Sequence, residues 1–567
     1  MDKNAFSKLL LSAVLVTFLA IAVVFPVVTL FLRAFQDGAG NWIGLRNFIN
    51  YFTSPATATS LRNSIAVSMT VTCFTVSLAF LYAFGLERTR IRGKALLRGM
   101  AYAPLFTPSM THGIALVYLL GRQGIVTRTL GLNISIYGFY GIVLAETVYI
   151  FPVIFFMLSL AFHAEDFRTY EMAEIMGVGI VKRFFSITLP HMKYSIITCC
   201  FSAFTICFTD FGAPKVVGGN YNVMATDIYK QVIGQQNFPM GSTVGVLLIS
   251  LTLLSFFAEL LLRNKSARID ALATRYIVRK NPWRDGFYML YNWGMAAAIL
   301  IFALTVVFAS LIRTWPYDFT FSLRSWHFTV MGESVWKVLA CSIGLALVSA
   351  IAGTVLCFFT AYAVERERRF FWLRKTGYFL SVLPNAIPGM TIGLAYIAFF
   401  NARGGFLNFL YGTSGILILA NIIHFFASPF LAITAKLKRI DKEYEYISDI
   451  MGVSWHETIR RVILPLSIDT ILESLSYFFI NSLTTVSAAI FLYTAHTRII
   501  SVMMVSKSDS GDVEYAVAIS VMIMLVNILF KIGFEAVIRF AKGDKRPGLL
   551  YNKQAIPEGG KDERTYF

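Results

Sequence analysis

Tyr170-Glu171-Met172-Ala173-Glu174-Ile175-Met176-Gly177-Val178 leads, after eight more residues, to Ile187-Thr188-Leu189-Pro190. A second stretch reads Tyr446-Ile447-Ser448-Asp449-Ile450-Met451-Gly452-Val453 and leads to Val462-Ile463-Leu464-Pro465. From Gly to Pro the gap is 13 residues in both, and the copies lie 275 residues apart. Glu171, Ala173 and Glu174 favour a short helix, too polar to cross a bilayer. Gly177 and Gly452 allow a left-handed turn behind it. An amphipathic stretch then reaches Leu-Pro, where the next apolar run is expected to start. A short helix held between two apolar runs suits docking into a groove of another protein. Two copies suit a partner that is itself paired.

Around these stretches the chain is apolar. It has 567 residues, 56% hydrophobic and 14% charged, with 51 Phe and 26 Tyr, and a mean hydropathy of +0.64. Soluble domains carry about 25% charged residues. The composition excludes a water-soluble globule, a disordered chain and a disulfide scaffold, and predicts an all-α polytopic membrane protein. Windows of about 20 apolar residues place twelve spans. The first six run near 9–32, 64–86, 99–121, 138–162, 193–213 and 241–262. The second six run near 288–312, 335–363, 377–400, 413–436, 467–492 and 513–538. The run from Leu9 to Leu32 is too long for a signal-peptide core and is read as the first span. The six cysteines lie in apolar stretches, without metal-ligand spacing to one another or to histidine, so no metal site is expected. His163, His191, His424 and His456 are read as structural.

The spans repeat. Pro104-Leu-Phe-Thr-Pro108-Ser-Met110-Thr111-His-Gly113 matches Pro384-Asn-Ala-Ile-Pro388-Gly-Met390-Thr391-Ile-Gly393 at an offset of 280. The same offset pairs Tyr82-Ala83 with Tyr362-Ala363 and Glu87-Arg88 with Glu367-Arg368. Two six-helix halves in the same orientation imply a pseudo-twofold axis along the membrane normal, with a pathway between the halves. Prolines four apart predict kinked or broken helices, read either as lining that pathway or as purely structural kinks. The expected organisation is a first half over 1–263, a basic linker over 264–286, a second half over 287–542 and a tail over 543–567. The loops fall near 165–190 and 440–465.

Basic residues cluster after the second span (Arg88, Arg90, Arg92, Lys94, Arg98), after the sixth (Arg263 to Arg284), after the eighth (Arg366 to Lys375) and in the tail. All fall on one side of a twelve-span chain. The positive-inside rule makes that side, and both termini, cytoplasmic. The net charge of +18 is therefore a topology signal, and no nucleic-acid partner is expected.

The duplicated stretch resembles the EAA loop of binding-protein-dependent ABC importers: Glu-Ala-Ala, three residues, Gly, nine residues, Ile, one residue, Leu-Pro. Glu171, Ala173, Gly177, Ile187, Leu189 and Pro190 match in the first copy; Gly452, Leu464 and Pro465 match in the second. Tyr446 stands where Glu is expected, beside Glu445, and Asp449 stands level with Glu174. The resemblance implies the type I importer permease fold, both halves fused, in a bacterial inner membrane. It implies two ATPase subunits docked on the loops, ATP and Mg held by those subunits, no cofactor in this chain, and a periplasmic binding protein delivering the solute. No G-x-x-x-x-G-K-[ST] occurs, in keeping with a transport subunit that is not an enzyme.

In this family the fifth helix lines the pathway. The pathway candidates are Pro108, Thr111, Asp210 and Lys215 in the first half and Pro388, Thr391, Thr484, Thr485 and Ser487 in the second. Asp210 and Lys215 read either as the outer mouth or as an interfacial charge pair. The hydroxyls of the second half read either as oxyanion donors or as bonds to the preceding helical turn. Asp210-Phe-Gly-Ala-Pro-Lys215, Gly218-Gly-Asn-Tyr221 and Thr484-Thr-Val-Ser-Ala-Ala look closer to 2-aminoethylphosphonate permeases, with ferric-iron permeases as the alternative. An ion-coupled secondary transporter is the rival class. Its G-x-x-x-D-R-x-G-R-R signature is broken at Gly85-Leu-Glu-Arg-Thr89-Arg-Ile-Arg-Gly93-Lys94, and it leaves the paired loops unexplained.

Overall fold

The computed structural model describes residues 3–131, 135–266, 276–330, 333–366, 370–402, 405 and 407–541. The centre of the expected linker, Glu367 to Arg369 and the tail 543–567 lie outside the described residues. Among the described residues nine helices are long and apolar enough to cross a bilayer: Phe6–Ala34, Thr57–Arg88, Phe139–His163, Ile180–Thr209, Phe238–Leu262, Pro282–Ser310, Val335–Arg366, Trp455–Thr484 and Val513–Arg539. Three bent pairs complete twelve: Lys94–Phe106 with Ser109–Leu130, Phe371–Ala386 with Gly389–Phe400, and Ser414–His424 with Ala427–Arg439. The only described strands form two short antiparallel ladders, Ile312–Thr314 with Asp318–Phe321 and Thr329–Val330 with Glu333–Ser334, so the fold is all-α.

The paired prolines bend their spans by 103° and 113°. Each break runs through a 3-10 turn, Ala103–Phe106 or Leu383–Ala386, and restarts after Pro108 or Pro388. Proline donates no backbone bond, so a carbonyl in the turn before it is freed. Lipid offers such a carbonyl no partner. The opposite half supplies one each time. Thr252 Oγ1, on the sixth span, donates to Ala386 O at 2.7 Å. Asn527 Nδ2, on the twelfth, donates to Phe106 O at 3.0 Å. The donors are repeat mates at the 275 offset and the acceptors are mates at 280.

The halves are interlocked in other ways. The first span packs on the ninth and the seventh packs on the third. Tyr396 Oη donates to Ala22 O at 2.9 Å, and Tyr291 Oη donates to Leu78 O at 2.9 Å. Each half is therefore completed by the leading helix of the other.

Two expectations need correction. The fifth and eleventh spans begin at Ile180 and Trp455, well before Leu-Pro, and end at Thr209 and Thr484. Pro190 and Pro465 lie inside continuous helices. A single π-turn directly precedes each Leu-Pro, Phe184–Thr188 and Ile459–Ile463, and absorbs the missing donor. The offset of 280 also slips at the end of the second span. Glu367 and Arg368 lie outside the described residues, and the contacts matching those of Glu87 and Arg88 belong to Glu365 and Arg366. Glu87 takes Arg98 at 2.7 Å and His163 at 3.2 Å; Glu365 takes Lys438 and Lys442, both at 3.8 Å.

Arg88 and Arg366 tie each loop to its half. Arg88 donates to Phe162 O at 3.1 Å, pairs with the Glu165 carboxylate and stacks on Tyr276 at 3.8 Å. Tyr170 Oη donates to the same carboxylate at 2.7 Å. Arg366 donates to Ile440 O at 2.9 Å and faces Glu445 at 3.7 Å. Burial pushes the Glu165 carboxyl above its ordinary range while Arg88 opposes the shift. Removing one partner of a buried pair costs about 3–5 kcal/mol. Arg88→Met is expected to lower the thermal stability of the solubilised protein more than Arg366→Met, because Glu445 is less completely buried than Glu165. The Arg88→Met deficit is a cost of holding Glu165 ionised, so it is present at neutral pH and shrinks as pH falls toward about 5, where carboxyls begin to protonate. Unfolding curves at the two pH values check both orderings.

Candidate functional site

Both loops fold as short helices capped by glycine, Phe167–Ile175 before Gly177 and Glu443–Ile450 before Gly452. Gly177 has φ +68° and Gly452 has φ +70°. The closing bonds are the same: Gly177 N to Glu174 O and Val178 N to Ala173 O, then Gly452 N to Asp449 O and Val453 N to Ser448 O. These satisfy carbonyls left over at a helix end. Ala173 is buried, so a small residue there lets the helix sit close to its half.

What the loops present outward is apolar. Met172, Ile175 and Met176 are exposed, Ile175 at 87%; Ile447, Ile450 and Met451 are exposed, Ile450 at 86%. The triplets occupy matched positions at the 275 offset, with spacing i, i+3, i+4. The i, i+3, i+4 spacing of these residues is visible in the sequence itself.

The acidic loop residues divide. Glu171 and Asp449 are exposed and Tyr446 is half exposed. Glu174 is held by Arg183 at 3.5 Å and by Arg279, which enters from the segment before the seventh span. Glu445 turns inward to Arg366 and does the work of Glu165, so it does not replace the missing Glu at Tyr446. Leu189, Pro190, Leu464 and Pro465 are exposed inside the long helices, directly after the π-turns.

Both loops lie on one face. The first is tied to Arg88 and to Tyr276, just before the seventh span. The second is tied to Arg366, where the eighth span ends. Two uninterrupted spans, the seventh and eighth, separate those anchor points and return the chain to the same side. The start of the first span is there too, since Trp455 Nε1 donates to Ser7 Oγ at 2.8 Å.

On the opposite face the fifth span ends at Asp210. Its Oδ2 accepts from Ala213 N at 3.0 Å, and its carboxyl also meets Glu146 and Ser109. Asp210 and Lys215 are not paired with each other. Lys215 crosses to the second half, reaching Asp509 at 3.0 Å, and Tyr229 Oη donates to the same carboxylate at 3.0 Å. The second half's hairpin also crosses: Trp315 Nε1 donates to Gln123 O at 3.0 Å and Arg128 to Pro316 O at 3.2 Å.

The remaining hydroxyl-bearing pathway candidates differ in burial: Thr111, Thr391 and Thr485 are buried, Thr484 and Ser487 partly exposed. Thr391 lies against Gly245 of the first half, where an added Cβ would sit 3.2 Å from its methyl. Thr484 Oγ1 bonds back to Ile480 O at 3.0 Å, the helical-turn alternative. Thr485 is the cap residue, and its carbonyl accepts from Ser501 Oγ at 2.6 Å. Ser487 is explained by its partner. A Cβ at Gly389 would meet Ser487 Oγ at 2.2 Å, and a Cβ at Gly212 would meet Ser109 Oγ at 2.2 Å. Ser109 and Gly389 are repeat mates, as are Gly212 and Ser487. The halves thus exchange which side of one contact carries the hydroxyl. Among the described residues no group of three His, Cys, Asp or Glu side chains is placed to hold a metal.

The family model for the binding-protein-dependent transport system inner membrane component matches twice, over residues 75–270 and 353–542. The chain belongs to this family. It is a fused two-half permease, a multi-pass inner-membrane transport subunit of an ABC importer rather than an enzyme. It is 27% identical to the ferric transport system permease protein FbpB of Actinobacillus pleuropneumoniae over 92% of this chain and 77% of that one. It is 27% identical to the putative ferric transport system permease protein FbpB 1 of Haemophilus influenzae over 88% and 79%. The molybdenum transport system permease protein ModB of Escherichia coli K12 is 31% identical over 26% of this chain and 67% of its own length.

The exchanged Ser–Gly contact in the permease makes a paired prediction. Gly389→Ser is expected to place two hydroxyls in space for one and to lower the yield of folded permease several-fold. Gly389→Ser with Ser487→Gly recreates the first half's arrangement and is expected to restore it. Size-exclusion profiles of the solubilised single and double variants check the rescue.

Proposed function

We propose that the two loops seat a pair of ATPase subunits on the cytoplasmic face, that both termini lie on that face, and that the delivered solute is ferric iron. The observation that carries the docking reading is the matched pair of exposed apolar triplets, Met172-Ile175-Met176 and Ile447-Ile450-Met451, on one side of the molecule. An apolar i, i+3, i+4 stripe on a short helix is the form that anchors in a groove. A stripe so exposed is unfavourable in water unless a partner covers it. In this reading ATP and Mg stay on the ATPases, and their closure draws the loops together. A periplasmic binding protein then releases its solute at the opposite face, where Lys215 and Asp509 join the halves.

Iron is favoured by the relatives matched along nearly the whole chain, both ferric permeases by name. The stretches at 210–221 and 484–489 point toward 2-aminoethylphosphonate over about twenty residues only. Whole-length similarity outweighs them.

Ile175→Asp with Ile450→Asp is expected to leave the permease inserted while abolishing co-purification of the ATPase and reducing uptake at least tenfold. Undiminished co-purification contradicts the docking surface. The solute is tested on the cognate binding protein, titrated with ferric iron and with 2-aminoethylphosphonate. Saturable binding of iron alone is expected; binding of the phosphonate alone overturns the assignment.

A further inference from the structure

The matched bonds at the two broken spans do more than fill vacant acceptors. Each joins the sixth span of one half to the break in the other: Thr252 to Ala386 and Asn527 to Phe106. Thr252 and Asn527 are fully buried. The Thr252 hydroxyl has one proton and two carbonyls of its own helix within reach, Leu248 O at 3.0 Å and Ile249 O at 2.9 Å, yet its shortest bond crosses the interface. Asn527 makes no such local bond: its Nδ2 crosses to Phe106 O, and its Oδ1 is buried without a partner. The amide is thus held by its cross-half bond alone. Beyond these bonds, on the outer face, Lys215 and Tyr229 of the first half grip Asp509 of the second. The donors therefore hold a state in which the halves are closed together on the outer side.

We infer that Thr252 and Asn527 are positioning residues for transport, a pair of mid-membrane latches that hold the broken spans in this outward-closed state and are released each time the halves part. The inference rests on the ATPase docking proposed above for one of its readouts only. Thr252 can fall back on its own helix when released, at little cost. Asn527 has to find another acceptor for its Nδ2, so release on that side is the costlier step. The two latches are symmetric in place and unequal in chemistry.

The test compares Thr252→Val, Asn527→Leu and the double variant with wild type, with Thr252→Ser as the variant that keeps the donor. The first readout is ATP turnover by the purified complex without binding protein. Asn527→Leu is expected to raise it about threefold, the size of one interhelical hydrogen bond in a membrane, Thr252→Val by less because its hydroxyl has carbonyls of its own helix in reach, and the double variant by at least as much as Asn527→Leu alone; Thr252→Ser stays at the wild-type rate. The second readout needs no ATPase: a cysteine at Ala386, in a chain lacking the native six, is labelled by a soluble thiol reagent. Labelling is expected to quicken several-fold with Asn527→Leu and Thr252→Val combined. Purely structural damage would instead lower turnover and folded yield together, which overturns the latch, as does the absence of change in both readouts. If no ATPase accompanies even the wild-type chain, the docking reading fails while the labelling still decides the latch.

Discussion

A membrane offers a freed carbonyl nothing to bond. The permease breaks two of its spans sharply, at Pro108 and Pro388, and each break exposes backbone that only protein can satisfy. Here the satisfying group comes from the opposite half both times. That constraint links local sequence to quaternary-like architecture within one chain. A proline pair dictates a break, the break demands a donor, and the donor's location makes the halves mutually dependent. Hydrophobic burial cannot do this work between helices already in lipid. Directed bonds and close packing must, as at Tyr396, Tyr291 and the exchanged Ser–Gly contact.

The same dependence extends to the face that carries the loops. Arg88 and Arg366 fasten each loop to its own half, while Tyr276 and Arg279 bring in the segment before the seventh span and Ser7 the start of the first. The two short helices are therefore firmly based, and their outward residues are free to be apolar. A rigid base with an apolar tip is what force transfer from a closing ATPase pair requires. The outer face is joined through partly exposed contacts: the Lys215–Asp509 ion pair, worth at most about 1 kcal/mol, and bonds from Tyr229, Trp315 and Arg128. A buried base on one side and partly exposed contacts on the other fit the proposed drive from the face that carries the loops.

Much of this was legible in the chain. Composition gave the class, proline and glycine registers gave the repeat, and Gly177 and Gly452 gave the loop geometry. Other features were hidden by long-range contact. Pro190 and Pro465 read as helix starts because a π-turn, which has no sequence signature, lets a helix run through them. Glu445 read as a displaced docking residue because its pairing with Arg366 spans nearly eighty residues of sequence. Thr252 and Asn527 share no residue type, so their equivalence appears only when their acceptors, Ala386 and Phe106, are seen. The close approach of Ser487 to Gly389 was hidden too, since the sequence does not show which glycine faces which hydroxyl.

The central claim is that two like halves stand in the same orientation and present two like loops to one compartment. Single cysteines at Ile175, Ile450 and Tyr317, in a chain lacking the native six, can be labelled with an impermeant thiol reagent in intact spheroplasts and in inverted vesicles. The parallel repeat predicts that positions 175 and 450 react only in inverted vesicles and position 317 only in spheroplasts. Reaction of 175 and 450 from opposite sides would contradict it, since no single ATPase pair can then reach both loops.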